Sequence, residues 1–174
     1  MPYNARLRTH PVMPPQVTDI ILLVEDSDND AQLTMRAFGR SGVENRVRLA
    51  RDGEEAIAYL TGLGKYTDRV KNPLPAVILL DLSLPKFNGY QLMRWLRTQP
   101  EIKRIPVVVL SESHDPTAIN RAYDAGASSY LVISESSPLG RWFREADKDI
   151  EPKVLPAQIL DLLTFHDLDA TMAC

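Results

Sequence analysis

Three acidic residues, Glu25, Asp26 and Asp81, directly follow two short apolar segments of the chain. If both segments are strands of one parallel sheet, their carboxyl ends meet at the same edge, where ligands of open α/β sheets bind. Three carboxylates at one edge repel one another, and a hard divalent cation with oxygen ligands relieves that repulsion. We therefore expect a Mg²⁺ site made of these carboxylates, a backbone carbonyl such as that of Ser83, and water.

Strands must position these acids, and the chain has five strand-like segments that are short, apolar and rich in β-branched residues. The first, third and fourth are apolar throughout, which indicates strands buried on both faces, as in a parallel sheet. The five segments are Ile20 to Val24, Val47 to Ala50, Ala76 to Leu80, Pro106 to Leu110 and Tyr130 to Ile133.

Segments with helical periodicity separate the predicted strands, because apolar residues recur one turn apart in each. This alternation, together with right-handed crossovers, predicts an α/β fold with a doubly wound, five-stranded parallel sheet. We expect the flavodoxin-like strand order 2-1-3-4-5, in which the first and third strands are neighbours. The predicted helices are Asp28 to Gly39, Gly53 to Leu63, Gly89 to Thr98, one that is capped by Asp115 and stops at Gly126, and one that begins at Ser137-Pro138.

The two ends of the chain differ from this α/β region. Residues 1–18 contain four prolines and no periodic pattern, so we expect an irregular N-terminal arm. Residues 19–150 are the predicted domain, and residues 151–174 are a C-terminal extension. Within the domain, Thr61 to Pro75 exceeds the usual connection of roughly 2 to 6 residues and is predicted to be an exposed excursion.

The composition argues against several classes of protein. The 174 residues carry a net charge of −3, which gives no bulk positive field for nucleic acid. The single cysteine, Cys174, excludes an internal disulfide framework and suits the cytoplasm. The longest apolar runs are about five residues, far short of the roughly 20 that cross a bilayer, so we expect no membrane segment.

The acidic strand ends belong to longer motifs: ILLVEDS at 21–27, VILLDLSLPKFNG at 77–89, IPVVVLSES at 105–113 and DAGASSYLV at 124–132. In this order the motifs resemble the receiver domain of two-component response regulators, a CheY-like domain, over about residues 19–150. The stretch from Tyr59 to Pro75 and the phrase IKRIPVVVL are also similar to the single-domain regulators that accompany bacterial phytochromes.

The resemblance implies a role for each matching residue. Asp81 falls at the phosphoacceptor, whose carboxylate takes a phosphoryl group from a phosphohistidine. Asp26 matches the main metal-binding acid, and Glu25 matches its acidic neighbour. Ser111 matches the hydroxyl that hydrogen-bonds the phosphoryl group, and Tyr130 matches the aromatic switch residue.

One position departs from the family pattern. Receivers carry a lysine at the end of the fifth strand, usually followed by a cis-proline, and this chain has Ile133 and Ser134 there. The phosphoryl oxygens therefore lose one stabilising partner. A cis bond before serine costs about 2.5 to 4 kcal/mol, so we expect a trans bond. Lys86 or Arg141 is our hypothesis for a substitute cation.

The resemblance implies a stand-alone receiver that takes phosphate from a sensor histidine kinase, in this subfamily a bacteriophytochrome, and signals by protein contact. It implies no enzyme activity beyond slow self-phosphorylation and dephosphorylation. We expect a homodimer through the face of the fourth helix, fifth strand and fifth helix, where Trp142 and Phe143 are the largest apolar candidates.

Two alternatives stay open at this point. A degenerate receiver would keep the fold and act without phosphorylation, and Ile133 favours this alternative. A phosphatase of the haloacid dehalogenase type would also use an aspartate nucleophile. That chemistry requires a second acid two residues after the nucleophile, where this chain has Ser83, so this alternative fails unless hydrolysis of a phosphoester is shown.

Overall fold

The computed structural model describes residues 20–40, 46–85 and 87–133 of the 174-residue chain. Strands and helices alternate along these residues, as the sequence pattern predicted. The elements are β1 Ile20–Val24, α1 Asp28–Arg40, β2 Arg46–Ala50, α2 Gly53–Thr61, a 3-10 helix at Gly64–Tyr66, β3 Val77–Asp81, α3 Gly89–Thr98, β4 Val107–Ser111, α4 Pro116–Asp124 and β5 Ser129–Val132.

Several predictions fall on residues outside the described part of the chain. They concern the arm at 1–18, the domain boundary at 150, the extension at 151–174 and the helix that begins at Ser137-Pro138. The peptide bond between Ile133 and Ser134 and the side chains of Lys86, Arg141, Trp142 and Phe143 lie outside it as well.

The five strands form one parallel sheet in the order β2-β1-β3-β4-β5, which confirms the predicted fold class and strand order. Val24 at the end of β1 pairs with Leu80, and Asp81 at the end of β3 pairs with Leu110. The carboxyl ends of β1, β3 and β4 therefore lie side by side at one edge of the sheet.

Helices cover both faces of this sheet. In β1, Leu22 belongs to a hydrophobic cluster that includes Leu60 of α2 and Met93 of α3, whereas Leu23 belongs to a second cluster that includes Phe38 of α1. Every residue of β1 and the first four residues of β3 and of β4 are buried, which confirms the reading of the continuous apolar runs. Full burial of such a side chain contributes about 1.5 to 3 kcal/mol.

The predicted strand boundaries are wrong by one residue at several places. β3 and β4 each begin and end one residue later than predicted, with Asp81 and Ser111 as their last residues. The reason is that a strand continues while its backbone groups find ladder partners, whatever the side chain: Asp81 pairs with Leu110, and Ser111 pairs with Val132. β2 begins one residue earlier than predicted, and β5 lies one residue earlier as a whole.

Helix ends follow local capping chemistry. Helix α2 ends at Thr61 and not at Leu63 as predicted, because Gly62 adopts a left-handed φ of 71° and its N–H donates back to the last turn. Helix α4 begins at Pro116 as predicted, and the Asp115 side chain caps it by accepting from the Thr117 N–H. None of the described helices has the length and apolar content needed to cross a bilayer.

The predicted excursion from Thr61 to Pro75 is tied to helix α2. The Arg69 guanidinium donates to the Tyr59 carbonyl oxygen at 2.7 Å, and the Tyr59 hydroxyl donates to the Pro73 carbonyl oxygen at 2.8 Å. Val70, by contrast, is 93% exposed. The connection therefore exposes Val70 to solvent, while its neighbour Arg69 and, further along, Pro73 are held against α2 by hydrogen bonds.

The loop that follows β3 lies directly against the start of α2. A Cβ atom on Gly53 would be 2.6 Å from Phe87 Cδ1 and 2.8 Å from the Phe87 carbonyl oxygen. Phe87 itself packs against the hydrophobic cluster under α2 and α3. The absence of a side chain at Gly53 thus allows the loop beyond Asp81 to close onto the domain.

We expect Gly53→Ala to lower the free energy of unfolding by about 1 to 3 kcal/mol, because the new methyl group would press on backbone atoms of Phe87. Gly39→Ala is the matched control: its Cβ meets no atom within 4 Å, and alanine should raise helix stability by up to about 1 kcal/mol. Urea unfolding of both variants measures the difference. Equal effects of the two substitutions would contradict this account.

Candidate functional site

The structure brings Glu25, Asp26 and Asp81 together at one edge of the sheet. Glu25 and Asp26 follow β1 directly, and Asp81 is the last residue of the neighbouring strand β3. One carboxylate oxygen from each residue lies within 4.8 Å of those of the other two. Their burial differs: Glu25 is buried, Asp81 is half-buried and Asp26 is exposed. The cluster therefore opens to solvent on the Asp26 side.

Glu25 is the buried member of the cluster, with 8% of its surface exposed. Its backbone N–H donates to the Ala50 carbonyl oxygen at 2.9 Å, and its Oε1 accepts from the Ser27 N–H at 3.0 Å. Burial raises the pKa of Glu25 to about 7; the Ser27 bond opposes this rise, and the negative charge of Asp81 adds to it. A buried acid is thus held among other acids.

Asp81 occupies a similar environment. Burial raises its pKa, the backbone N–H of Ser83 lowers it, and the negative charge of Asp26 raises it again. The Ser83 N–H donates to Asp81 Oδ1 at 3.0 Å, which holds the carboxylate in one orientation. Both strand-end acids therefore lie where a negative charge is unfavourable without a nearby cation.

These residues fit a hard divalent metal ion. All three side chains offer carboxylate oxygens, the donor type that Mg²⁺ and Mn²⁺ prefer, and the group converges on one point. Among the described residues, the ion pairs of Arg51, Lys65 and Lys71 are all made with other acids. The raised pKa values agree with a cluster that a cation would stabilise.

The sequence reasoning missed Asp30, in the first turn of α1. Its negative charge raises the pKa of both Glu25 and Asp81, so it belongs to the electrostatic environment of the site. The available signal was an acid in the first turn of the helix that begins four residues after β1 ends. Asp28, two residues earlier, forms an ion pair with Arg51 instead.

Ser111 and Tyr130 both contact the loop between β4 and α4. Ser111 ends β4, the strand next to β3, and its Oγ accepts from the Ser113 N–H at 3.2 Å. The Tyr130 hydroxyl reaches over from β5 and donates to the Ser113 carbonyl oxygen at 3.1 Å. Two of the residues singled out in the sequence thus hold the same residue of this loop.

Ile133 occupies the position where the family pattern has lysine, and its contacts are of a different kind. Its backbone N–H donates to the Ser111 carbonyl oxygen at 2.9 Å, which continues the pairing of β5 with β4. Its half-buried side chain packs against the hydrophobic cluster that contains Phe38 and Leu131. The side chain contributes apolar packing at this position and no cation.

Comparisons with known proteins point to one family. The family model described as the response regulator receiver domain matches residues 21–134. Response regulator Rcp1 from Synechocystis sp. is 38% identical over 123 residues, which cover 71% of this chain and 80% of that protein. The Mn²⁺-bound crystal form of response regulator Rcp1 has a TM-score of 0.62 at 32% identity, covering 78% of this chain and 99% of that one.

A third similar structure is that of a phosphorylated protein. The crystal structure of the phosphorylated cyanobacterial phytochrome response regulator RcpA has a TM-score of 0.63 at 38% identity, and it covers 74% of this chain and 89% of that one. The family model covers all of the described sheet except Ile20, the first residue of β1, and it includes all three clustered acids. This chain therefore belongs to the response regulator receiver domain family, whose members are phosphorelay signalling proteins of two-component systems rather than classical enzymes.

Proposed function

We propose that this chain accepts a phosphoryl group on Asp81 from a sensor histidine kinase, with Mg²⁺ bound by the acidic cluster, and then signals by protein contact. The observation that carries the proposal is the convergence of Glu25, Asp26 and Asp81, whose carboxylate oxygens lie within 4.8 Å of one another. Phosphoryl transfer consists mostly of positioning and charge neutralisation, so an acceptor carboxylate beside a cation site is suited to it.

The transfer itself is a substitution at phosphorus. A carboxylate oxygen of Asp81 forms the new O–P bond, the N–P bond of the donor phosphohistidine breaks, and its electron pair stays on the departing imidazole, which is then protonated. The Ser83 N–H donates to Asp81 Oδ1, and we propose Oδ2 as the attacking oxygen. We propose that the Ser111 hydroxyl, at the end of the adjacent strand, donates a hydrogen bond to a phosphoryl oxygen.

Glu25, Asp26, Asp81 and the Ser83 carbonyl are the proposed metal ligands. A bound Mg²⁺ would supply positive charge that offsets the charge of the acids and of the phosphoryl oxygens. The support for this donor set is its all-oxygen chemistry and the raised pKa of Glu25 and Asp81. The related protein Rcp1 has been crystallised in a Mn²⁺-bound form.

The names of the relatives support the choice of partner. RcpA is a phytochrome response regulator, and AtBRR, with a TM-score of 0.62 at 34% identity, is a bacteriophytochrome response regulator. We propose that the donor is a phytochrome-type sensor kinase. We also propose a homodimer through α4, β5 and the helix expected after Ser137, where Tyr123 of α4 is 48% exposed.

A second function has one observation in its favour. The Ile133 side chain packs into the hydrophobic cluster and brings no cation to the phosphoryl site. A degenerate receiver, which keeps the acidic cluster but signals without phosphorylation, would need no such cation. The two functions differ in one measurable property, the uptake of phosphate at Asp81.

We expect the full chain to gain one phosphoryl group from acetyl phosphate in the presence of Mg²⁺, and we expect Asp81→Asn to abolish that gain because the attacking oxygen is lost. Intact-mass spectrometry measures the modification directly. The matched control is Asp124→Asn, which changes an acid at the end of α4 and should keep native uptake. Uptake by Asp81→Asn, or none by the native chain, would reject the phosphoacceptor function.

We expect Mg²⁺ to raise the free energy of unfolding, by about 2.7 kcal/mol at a concentration 100 times its dissociation constant. Asp26→Asn should abolish most of this gain and should stabilise the metal-free protein, because it removes one of three clustered charges. Thermal unfolding at matched ionic strength, with Asp124→Asn as control, measures both effects. If Mg²⁺ raised the free energy of unfolding equally in Asp26→Asn and Asp124→Asn, a metal site that includes Asp26 would be contradicted.

We expect Ile133→Lys to increase the yield of phosphorylated protein, because an ammonium group would again be available to the phosphoryl oxygens. The same change should lower the free energy of unfolding by about 0.5 to 3 kcal/mol, since apolar packing is lost. Ile133→Met controls for side-chain length without charge. If lysine and methionine give the same yield, the charge at this position does not limit transfer.

A further inference from the structure

Helix α3 begins in direct contact with the backbone of Asp81. A Cβ atom on Gly89, its first residue, would lie 2.9 Å from the Asp81 carbonyl oxygen and 3.0 Å from the Leu82 Cα. Asn88 and Gln91 cap this end of the helix with reciprocal side-chain to backbone hydrogen bonds. Closely packed groups transmit displacement, so a shift of the Asp81 backbone would press on the first turn of α3.

Tyr90, the second residue of α3, reaches across to helix α4. The Arg121 guanidinium carbon lies 4.2 Å from the centroid of the Tyr90 ring, a cation–π distance. The Tyr90 hydroxyl donates to the Ala118 carbonyl oxygen at 3.4 Å. Ala118 and Arg121 are three residues apart and so lie on one face of α4. Tyr90 therefore contacts the body of α4 in two chemically different ways.

A separate set of hydrogen bonds leads from Ser111 to the start of α4. The Ser113 N–H donates to Ser111 Oγ, the Tyr130 hydroxyl donates to the Ser113 carbonyl oxygen, and the Asp115 N–H donates to Ser113 Oγ. These bonds hold the loop and the N-cap of the helix. The contacts of Tyr90, in contrast, hold the helix beyond its cap.

We propose that Tyr90 and Arg121 are positioning residues that couple the backbone of Asp81 to helix α4. The proposal rests on the proposed function, because the signal to be coupled is the occupation of Asp81. It adds a connection that runs from Asp81 through Gly89 and Tyr90 to Arg121, parallel to the one through Ser111. With both connections in place, α4 responds along its length and not only at its cap.

The test compares hydrogen exchange of α4 amides in the full chain, with and without Mg²⁺ and saturating beryllofluoride as a phosphoryl mimic. Arg121→Ala removes the cation, and Tyr90→Leu removes both the ring and the hydroxyl. In each, we expect the beryllofluoride-induced change in α4 exchange to fall about fivefold or more. The matched control, Arg94→Ala, removes an exposed arginine from α3 and should keep the native response.

Two milder variants guard against loss of folding. Arg121→Lys keeps the positive charge and should recover part of the response, and Tyr90→Phe keeps the ring and should lose less than Tyr90→Leu. A merely structural role would change α4 exchange equally in both states and leave the induced difference intact. Saturation is verified for each variant by titration, so a change in affinity cannot imitate a loss of coupling.

The outcomes separate the two proposals. A full response in Arg121→Ala and Tyr90→Leu at saturation would overturn the coupling and leave the proposed function standing. If the unmodified chain fails to bind beryllofluoride in the presence of Mg²⁺, the proposed function is overturned, and the coupling falls with it. A response lost in both variants and kept in Arg94→Ala supports the coupling.

Discussion

Three carboxylates at the ends of two adjacent strands repel one another, and the rest of this site depends on that repulsion. Burial raises the pKa of Glu25 to about 7 and raises that of Asp81, and neighbouring acids add to both effects. The apolar burial of β1 and β3 holds the strands, and hence the acids, in this arrangement. A divalent cation would remove the unfavourable charge, and under the proposed function that cation would lie beside the phosphoacceptor.

Glu55, outside the acidic cluster, has its charge stabilised in a different way. Burial alone would raise the pKa of Glu55, but hydrogen bonds from the Lys65 ammonium, the Arg51 backbone N–H and the Tyr66 hydroxyl lower it to about 2. Arg97 donates to carbonyl oxygens, including that of Gly126, and so fastens α3 to the loop before β5. Lys65 and Arg97 thus stabilise the fold. In the acidic cluster, by contrast, three carboxylates of the described chain lie close together.

The sequence predicted the sheet, its strand order and the gathering of the acids, because alternating apolar segments and parallel connections leave few topologies. The ends it predicts for β3 and β4 are one residue too early, because the polar side chains of Asp81 and Ser111 do not prevent pairing of their backbones. It missed Asp30, whose effect is a long-range charge with no motif of its own. The contact of Tyr90 with Arg121 joins two residues that are 31 positions apart and lie on different helices, and no local sequence pattern predicts it.

By itself the sequence determined that acids directly follow the first and third apolar segments and that an isoleucine occupies the position of the family's lysine, because both depend only on the order of residues. Tertiary structure alone decided that the acids lie within 4.8 Å of one another and that Ile133 packs into the core. It also decided that α3 rests on the Asp81 backbone. The reason is physical: distances, burial and pKa depend on how helices pack across the sheet, and that packing is a property of the whole chain.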